Sequence, residues 1–208
     1  MRCDGRPLGV LAAVTKGLFI LWAVPGQGAR PLQPPTLQQI QALVRHMAED
    51  AQELFTFYEE NQRLAINNLC HTNHPPEWLR GPVAGSGGLR GLRGTMARMS
   101  QALQDIIQHQ RDLNPPGAEI LRRLASTHLK ELLDRLHNTT KTTRGLISNL
   151  TCLLCKNYNI FQVDVSYGES SKGKSTFKKK QQGCQVLRKY VQVIAQAARV
   201  LLPHLSPP

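Results

Sequence analysis

Apolar residues recur at intervals of three and four positions in four stretches of the chain, which is the spacing of one face of an α-helix. The first stretch follows Thr36, which lies three residues before Gln39 in a capping-box arrangement. Its apolar positions are Ile40, Val44, Met47, Ala51, Leu54 and Tyr58. This pattern predicts a first helix that ends near Asn61.

The second stretch carries apolar residues on one face from about Thr95 to Asp112 and is stopped by the sequence Asn114-Pro115-Pro116-Gly117. Between the first and second stretches lies a long segment with His74-Pro75-Pro76 and a glycine-rich part, 81–94. Turn-forming residues run through this segment and no hydrophobic period is sustained in it, so it is predicted to be a connection.

The third stretch is unusually long, from Ile120 to about Tyr158. Residues 138–143 within it are poor helix formers, which makes a break there credible. The last stretch runs from the region of Phe177 to Leu201 and is stopped by Pro203. Strand signals are few, and the short alternating run 161–165 lies in a loop.

The lengths of the connections indicate how the four helices are arranged. The connections between the first and second helices and between the third and fourth are both long. Parallel neighbours in a bundle require such crossovers, whereas antiparallel neighbours need only short loops. We therefore predict an all-α fold, a four-helix bundle with up-up-down-down topology and two long crossover loops.

The N-terminal residues have the features of a secretory signal peptide. Arg2 and Arg6 precede apolar runs, and small residues at Gly26, Gly28 and Ala29 close the segment. Its unbroken apolar stretch is too short to span a bilayer comfortably. We expect residues 1–28 to be the signal peptide, with cleavage after 28 or 29, and residues 29–208 to form one secreted, extracellular domain.

The chain is strongly basic, with a formal charge of +12. Removal of the signal peptide takes away three positive residues and one negative residue, which leaves +10. Such a surface could bind nucleic acid, heparan sulfate or an acidic receptor, or it could simply be solvated. Secretion argues against nucleic acid, while heparan sulfate stays a candidate partner.

The remaining chemistry favours a binding protein over an enzyme. Cys70, Cys152, Cys155 and Cys184 are disulfide candidates in a secreted chain. The C-x-x-C at Cys152 and Cys155 has no companion pair, so a zinc site is not expected. No catalytic motif or nucleotide fingerprint occurs, and no cofactor or metal is predicted. N-glycosylation sequons begin at Asn138 and Asn149.

Several motifs resemble, in order, those of one cytokine family. These are the run 144–149, the Cys152 and Cys155 pair, the run 163–168, and Phe177-x-x-Lys180-x-x-Gly183-Cys184. They resemble the leukemia inhibitory factor and oncostatin M branch of the interleukin-6 family of long-chain helical cytokines. The resemblance implies a monomeric, non-enzymatic growth factor. Such a ligand bridges the leukemia inhibitory factor receptor and glycoprotein 130 and triggers JAK/STAT signalling in differentiation and proliferation.

The resemblance also implies a disulfide between Cys70 and Cys184. In the family, the C-x-x-C is tied to two cysteines near the mature N-terminus, but 30–39 contains none here. Cys152 and Cys155 could pair with each other, although that bond would be strained within a helix. Two buried free thiols are the preferred interpretation.

Two receptor-binding faces follow from the resemblance. The Phe177 face, expected to bind the leukemia inhibitory factor receptor, comprises Lys174, Phe177 and Lys180. The Gly145 face, expected to bind glycoprotein 130, comprises Gln39, Leu43, His46, Gly145, Ser148 and Asn149.

Each face has an alternative interpretation in the sequence. Phe177 lies seven residues before Cys184 on the extrapolated core stripe, so without the resemblance it would be assigned to the core. Gln39 could serve only the capping box. Gly145 costs about 1 kcal/mol against alanine within a helix. Either the close approach of a partner or a helix start after 138–143 would account for it.

Overall fold

The structure, a computed structural model, describes residues 37–62, 70, 88–112, 122–159 and 173–201. Four helices form within these ranges: α1 over Leu37–Asn61, α2 over Gly88–Asp112, α3 over Arg122–Tyr158 and α4 over Thr176–Leu201. The described residues contain no strand. The signal peptide, Thr36, the connections around 74–76 and the run 163–168 lie outside the described residues.

The helices form a bundle in which α1 and α2 each pack against both α3 and α4. Phe57 near the end of α1 lies beside His128 early in α3, whereas Glu53 lies beside Arg135 further along α3, so these two helices are antiparallel. Helices α2 and α3 are antiparallel as well. Arg93 near the start of α2 bonds to Thr151 near the end of α3, whereas Arg111 at the end of α2 bonds to His137 earlier in α3.

The start of α4 lies beside the ends of both α1 and α2, since Gly183 faces Tyr58 and Ile106. Thus α1 and α2 share one direction and α3 and α4 the other. This confirms the predicted four-helix bundle and gives it the up-up-down-down order.

Helix α1 follows the predicted pattern closely. All six of its predicted apolar positions are buried, and the helix ends at Asn61 as expected. Helix α2 begins at Gly88, seven residues before the predicted start at Thr95, so the prediction of a loop through Gly94 is wrong. The reason is tertiary: Leu89 and Leu92 extend the buried stripe, and their burial outweighs the helix cost of the nearby glycines.

Helix α3 is continuous over 37 residues, so the break considered at 138–143 does not occur. Thr139, Thr140 and Thr143 are buried there. The Thr140 and Thr143 hydroxyls donate to carbonyls four residues earlier, at 2.8 and 2.7 Å, which satisfies them within the helix. The helix ends at Tyr158, and the next residue, Asn159, has a φ of 53°, the left-handed conformation that asparagine tolerates just after a helix.

Cysteine chemistry matches the implied bridge but not the two free thiols. Cys70 and Cys184 form a disulfide, with their Cα atoms 5.3 Å apart. Cys155 is also disulfide-bonded in the full-length chain, so the free thiol predicted for the mature chain is not found there. Cys152 is free, but it is half-buried and not fully buried as expected. The two residues are three apart on one helix and face different environments.

None of the helices among the described residues has both the length and the apolar character needed to cross a membrane.

Candidate receptor-binding faces

The Phe177 face lies at the start of α4, where the bundle core has ended. Phe177 is 52% exposed and is one of two large hydrophobic side chains exposed among the described residues, the other being Tyr158. The interpretation of Phe177 as a core residue is therefore wrong. The core stripe of α4 begins only at Cys184, about one turn further into the bundle than Lys180.

Local geometry explains where α4 begins. Gly173 has a φ of 80°, which favours glycine, and turns the chain into the helix. The backbone N–H of Lys178 then donates to the Ser175 hydroxyl at 3.4 Å, and that of Lys179 to the Ser175 carbonyl at 2.9 Å. The Ser175 hydroxyl thereby caps one of the N–H groups that a helix start leaves without partners, and the Ser175 carbonyl accepts the first backbone bond of the helix.

The charges at this helix start oppose its dipole. The first turn of α4 contains no acidic residue, and Lys178, Lys179 and Lys180 follow one another there. Cations near a helix N-terminus are unfavourable, because that end carries partial positive charge. The clustered lysines are therefore placed unfavourably with respect to the dipole of their own helix.

The end of α2 contributes to the same region. His109 is close enough to Lys179 and Lys174 for both charges to affect its pKa. Burial lowers the pKa of His109, and the two lysines lower it further, against the opposing effect of Asp105 and Asp112. Lys174 is partly held, since its Nζ donates to the Gln182 side-chain carbonyl at 3.1 Å. Sequence reasoning did not place His109 at this face, because the two segments are about 70 residues apart.

The backbone under the face is supported from the interior. The Tyr58 hydroxyl of α1 donates to the carbonyl of Lys180 at 3.2 Å. Gly183 lies against the same hydroxyl, and Cys184 is held by its disulfide. Tyr58 was predicted as a core position, but its polar contact across 122 residues had no signal in the sequence.

The Gly145 face lies on the side of the bundle, where α1 and α3 run antiparallel. Glu53 and Arg135 lie opposite each other, with 3.7 Å between their charged atoms. Ten residues back along α1 is Leu43, and ten residues forward along α3 is Gly145. Because the helices are antiparallel, moving ten residues back along α1 and ten residues forward along α3 covers the same distance in the same direction. Leu43 and Gly145 therefore lie at the same height in the bundle.

The α1 residues of this face share one stripe with Glu53. Gln39, His46 and Glu53 are spaced by seven residues, or about two turns. Gln39 and His46 are exposed, and Leu43 is partly buried against the core. His46 also pairs with Asp50 at 3.4 Å. The structure thus brings the α1 members of the predicted face to the side of α1 that borders α3.

The α3 members of the face are partly buried, and Gly145 is the most informative of them. Gly145, Ser148 and Asn149 are all half-buried. Gly145 lies well inside α3, so the interpretation of Gly145 as a helix start is wrong. A Cβ atom at Gly145 would meet nothing within 4 Å. Internal packing therefore does not require glycine here.

The two faces are separate. The Phe177 face lies beside Tyr58 at the end of α1, whereas Leu43 lies fifteen residues earlier in that helix. At 1.5 Å per residue this corresponds to roughly 20 Å along the bundle axis. Two different proteins could therefore bind at once.

One group of possible metal ligands lies near the Phe177 face. Glu59, Cys70 and Cys184 place a carboxylate oxygen and two sulfur atoms within 4.8 Å of one another. The sulfurs are joined in a disulfide, and a disulfide lacks the thiolates by which cysteine binds metals. This group is therefore a carboxylate beside a structural bridge.

The comparison with known families agrees with the four-helix bundle. Residues 36–201 match the family model described as the LIF / OSM family, which spans all four helices of the bundle. This is a family of cytokines and not of enzymes. The chain belongs to the LIF / OSM family.

Proposed function

We propose that this chain is a secreted cytokine that bridges two receptors on one membrane. Its Phe177 face binds the leukemia inhibitory factor receptor, and its Gly145 face binds glycoprotein 130. Joining the two receptors brings their associated cytoplasmic kinases together and starts JAK/STAT signalling. The observation that carries the proposal is the 52% exposure of Phe177, the first residue of the Phe177-x-x-Lys180 motif on which the resemblance to the family rests.

The composition of the Phe177 face suits a protein partner. A large aromatic side chain beside a cation is a frequent interface hot spot. Phe177 offers rigid apolar area, and Lys180 lies three residues later on the same side of α4. The neighbouring lysines would attract an acidic receptor surface and speed its encounter.

The Gly145 face suits a different mode of contact. Small or short side chains at Gly145 and Ser148 leave room for a partner's side chain to approach the α3 backbone. The open space at the Gly145 Cβ supports this use of glycine. Once one receptor is bound, the second binds from the same membrane at high effective concentration, so that each face alone can be weak.

Within the family, we propose that the chain is most similar to leukemia inhibitory factor. The C-x-x-C of Cys152 and Cys155 and the run 163–168 favour this assignment. An oncostatin M-like ligand is the alternative, since it shares the Phe177-x-x-Lys180 motif.

The decisive experiment changes Phe177 and Lys180 together to alanine. Neither residue fills the core, so the melting temperature should stay near that of the parent. Affinity for the leukemia inhibitory factor receptor should fall by about 100-fold or more, as expected for truncated hot spots. Affinity for glycoprotein 130 should not change, so the variant should act as a competitive antagonist. Unchanged affinity for the first receptor would overturn the proposal.

A second candidate function is charge-driven binding of heparan sulfate or an acidic lipid surface. The clustered lysines at the start of α4 favour it. Such binding follows total charge and is lost at moderate salt. Under this alternative, Phe177→Ala alone would have no effect, whereas it should weaken saturable receptor binding severalfold.

A further inference from the structure

A buried polar network joins three helices beneath the Phe177 face. Tyr58 is 1% exposed, and its hydroxyl donates to the Lys180 carbonyl at 3.2 Å. The Gln110 side-chain amide of α2 donates to the same hydroxyl at 3.5 Å. Gln62, just after α1, donates to the Gln110 side-chain carbonyl at 3.2 Å. The ends of α1 and α2 are thereby tied to the backbone of α4.

Gly183 makes this contact possible. A Cβ atom at Gly183 would overlap the Tyr58 hydroxyl oxygen and lie 3.1 Å from the ring carbon that bears it. Glycine inside a helix costs about 1 kcal/mol against alanine. The close approach of Tyr58 is therefore a specific reason for glycine at this position, one residue before the Cys184 disulfide.

The network acts on the turn that presents the receptor-binding side chains. Lys180 gives its backbone carbonyl to Tyr58 while its side chain remains partly exposed. Phe177 lies three residues earlier and is largely exposed. The first turns of a helix fray readily because their N–H groups lack partners. An anchor inside the bundle limits that fraying and holds the two side chains in one arrangement.

Preorganisation of this kind favours binding. A face that is already ordered loses less conformational entropy when its partner binds. We propose that Tyr58 is a positioning residue for the Phe177 face: its hydroxyl, admitted by Gly183, fixes the first turns of α4 in the arrangement that the receptor binds. This inference rests on the proposed function of that face.

The structure offers a matched control. Tyr190 is also 1% exposed, and its hydroxyl shares a 2.8 Å hydrogen bond with the Thr143 hydroxyl inside the bundle. Tyr190 lies ten residues beyond Lys180 along α4, or about 15 Å. Tyr58→Phe and Tyr190→Phe each remove one buried, hydrogen-bonded hydroxyl and keep the ring, so the two variants should lose similar stability.

The test measures both variants against both receptor ectodomains. Tyr58→Phe should weaken binding to the leukemia inhibitory factor receptor about fivefold, the equivalent of roughly one hydrogen bond. Tyr190→Phe should change it less than about twofold, and neither variant should affect glycoprotein 130 on that scale. Amide hydrogen exchange over 178–184 should accelerate in Tyr58→Phe alone, which reports the anchor independently of any receptor.

A second substitution tests the same contact from the other side. Gly183→Ala should reproduce the loss of receptor affinity, because its methyl group displaces the Tyr58 hydroxyl. Adding Tyr58→Phe to Gly183→Ala should then cost less than Tyr58→Phe costs in the parent. Strictly additive losses would show that the two residues act separately and would overturn the inference.

The remaining outcomes separate this inference from the proposed function. Equal effects of Tyr58→Phe and Tyr190→Phe on receptor affinity, with the Phe177→Ala/Lys180→Ala variant still defective, would overturn the positioning role and leave the function standing. Full affinity in that double variant would overturn the function of the face and the positioning role with it.

Discussion

The two proposed faces are built on opposite plans. The Phe177 face lies at the end of the bundle and presents a large aromatic side chain and cations on a helix start. The Gly145 face lies on the side of the bundle, where the glycine and short polar side chains of α3 lie beside the α1 members of the face. One face projects toward its partner, and the other leaves space for the partner to enter.

This difference follows from what each region of a bundle can offer. At the start of α4 the core has ended, so a large apolar side chain can be exposed without leaving a hole. Such a helix end needs anchoring, which the Cys70–Cys184 disulfide and Tyr58 supply. On the side of the bundle the long helices are already rigid, and only the absence of a side chain lets a partner reach the backbone. The following predictions test this contrast.

The largest expected effect comes from removing the anchor of the Phe177 face. The disulfide closes a loop with a sequence separation of 114 residues, worth roughly 4.7 kcal/mol in the chain-entropy model for a loop of about that length. Replacing Cys70 and Cys184 with alanine should lower the free energy of unfolding by about 2–5 kcal/mol, measured by denaturant titration. Where the variant is still folded, the Phe177 face should lose more affinity than the Gly145 face.

Peptide mapping without reduction should recover the two cysteines linked, and a Cys70–Cys152 or Cys70–Cys155 peptide would contradict this assignment.

Gly145→Arg should block the second face. The long side chain would occupy the open space beside α3, so binding to glycoprotein 130 should fall about tenfold or more in a binding isotherm. Thermal stability should change little, because nothing lies within 4 Å of the new Cβ. Asn157→Arg, at the exposed end of the same helix, adds the same charge elsewhere and should bind normally. A large loss of stability in Gly145→Arg would instead show that Gly145 is a packing residue.

One substitution should have opposite effects in the two regions. Gly145→Ala should stabilise the free protein by about 0.5–1 kcal/mol, because the helix prefers alanine and the space is open. Gly183→Ala should destabilise it, because the methyl group overlaps the Tyr58 hydroxyl. Urea unfolding of the two single variants measures both changes. A loss of stability in both would mean that Gly145 has a role within the fold.

The smallest effect concerns the pH dependence of the Phe177 region. The pKa of His109 is lowered from 6.5 in the folded protein, first by burial and then by Lys179 and Lys174. As the pH falls below about 6.5, His109 is therefore protonated more readily in the unfolded chain than in the folded protein. This difference lowers the free energy of unfolding in that pH range. His109→Gln should remove that part of the acid sensitivity. Urea unfolding at about pH 7 and pH 5 should show a smaller loss for the variant than for the parent.

The sequence predicted those parts of the fold that depend on local pattern. The period of α1 placed all six buried positions correctly, because the core lies against one face along the whole helix. The start of α2 was wrong, since the glycines at 88–94 are a local cost while the burial of Leu89 and Leu92 is a gain made by the whole fold. The break considered at the threonines of α3 was wrong for a similar reason. Their hydroxyls donate to carbonyls of the same helix, and the helix continues through them.

The site residues could be predicted where a sequence motif identified them. They remained ambiguous where only the hydrophobic periodicity was available. Phe177 fits the core stripe of α4 equally well in sequence, and only the position of the bundle end shows that it is exposed. The bond from Tyr58 to Lys180 and the charges of Lys174 and Lys179 on His109 join segments that are distant in the chain. No pattern within one helix could have indicated them.

Because α3 is continuous, any N-glycosylation of its two sequons would have to precede the formation of the helix. Both sequons, at Asn138 and Asn149, lie inside this helix, where residues two apart point to opposite sides. The hydroxyls of Thr140 and Thr151 also already donate to carbonyls of their own helix. An enzyme that reads the asparagine and the threonine together cannot do so on the folded protein. Glycans on α3 would therefore be added to the nascent chain before the helix forms, so the extent of glycosylation would report how fast α3 folds during synthesis.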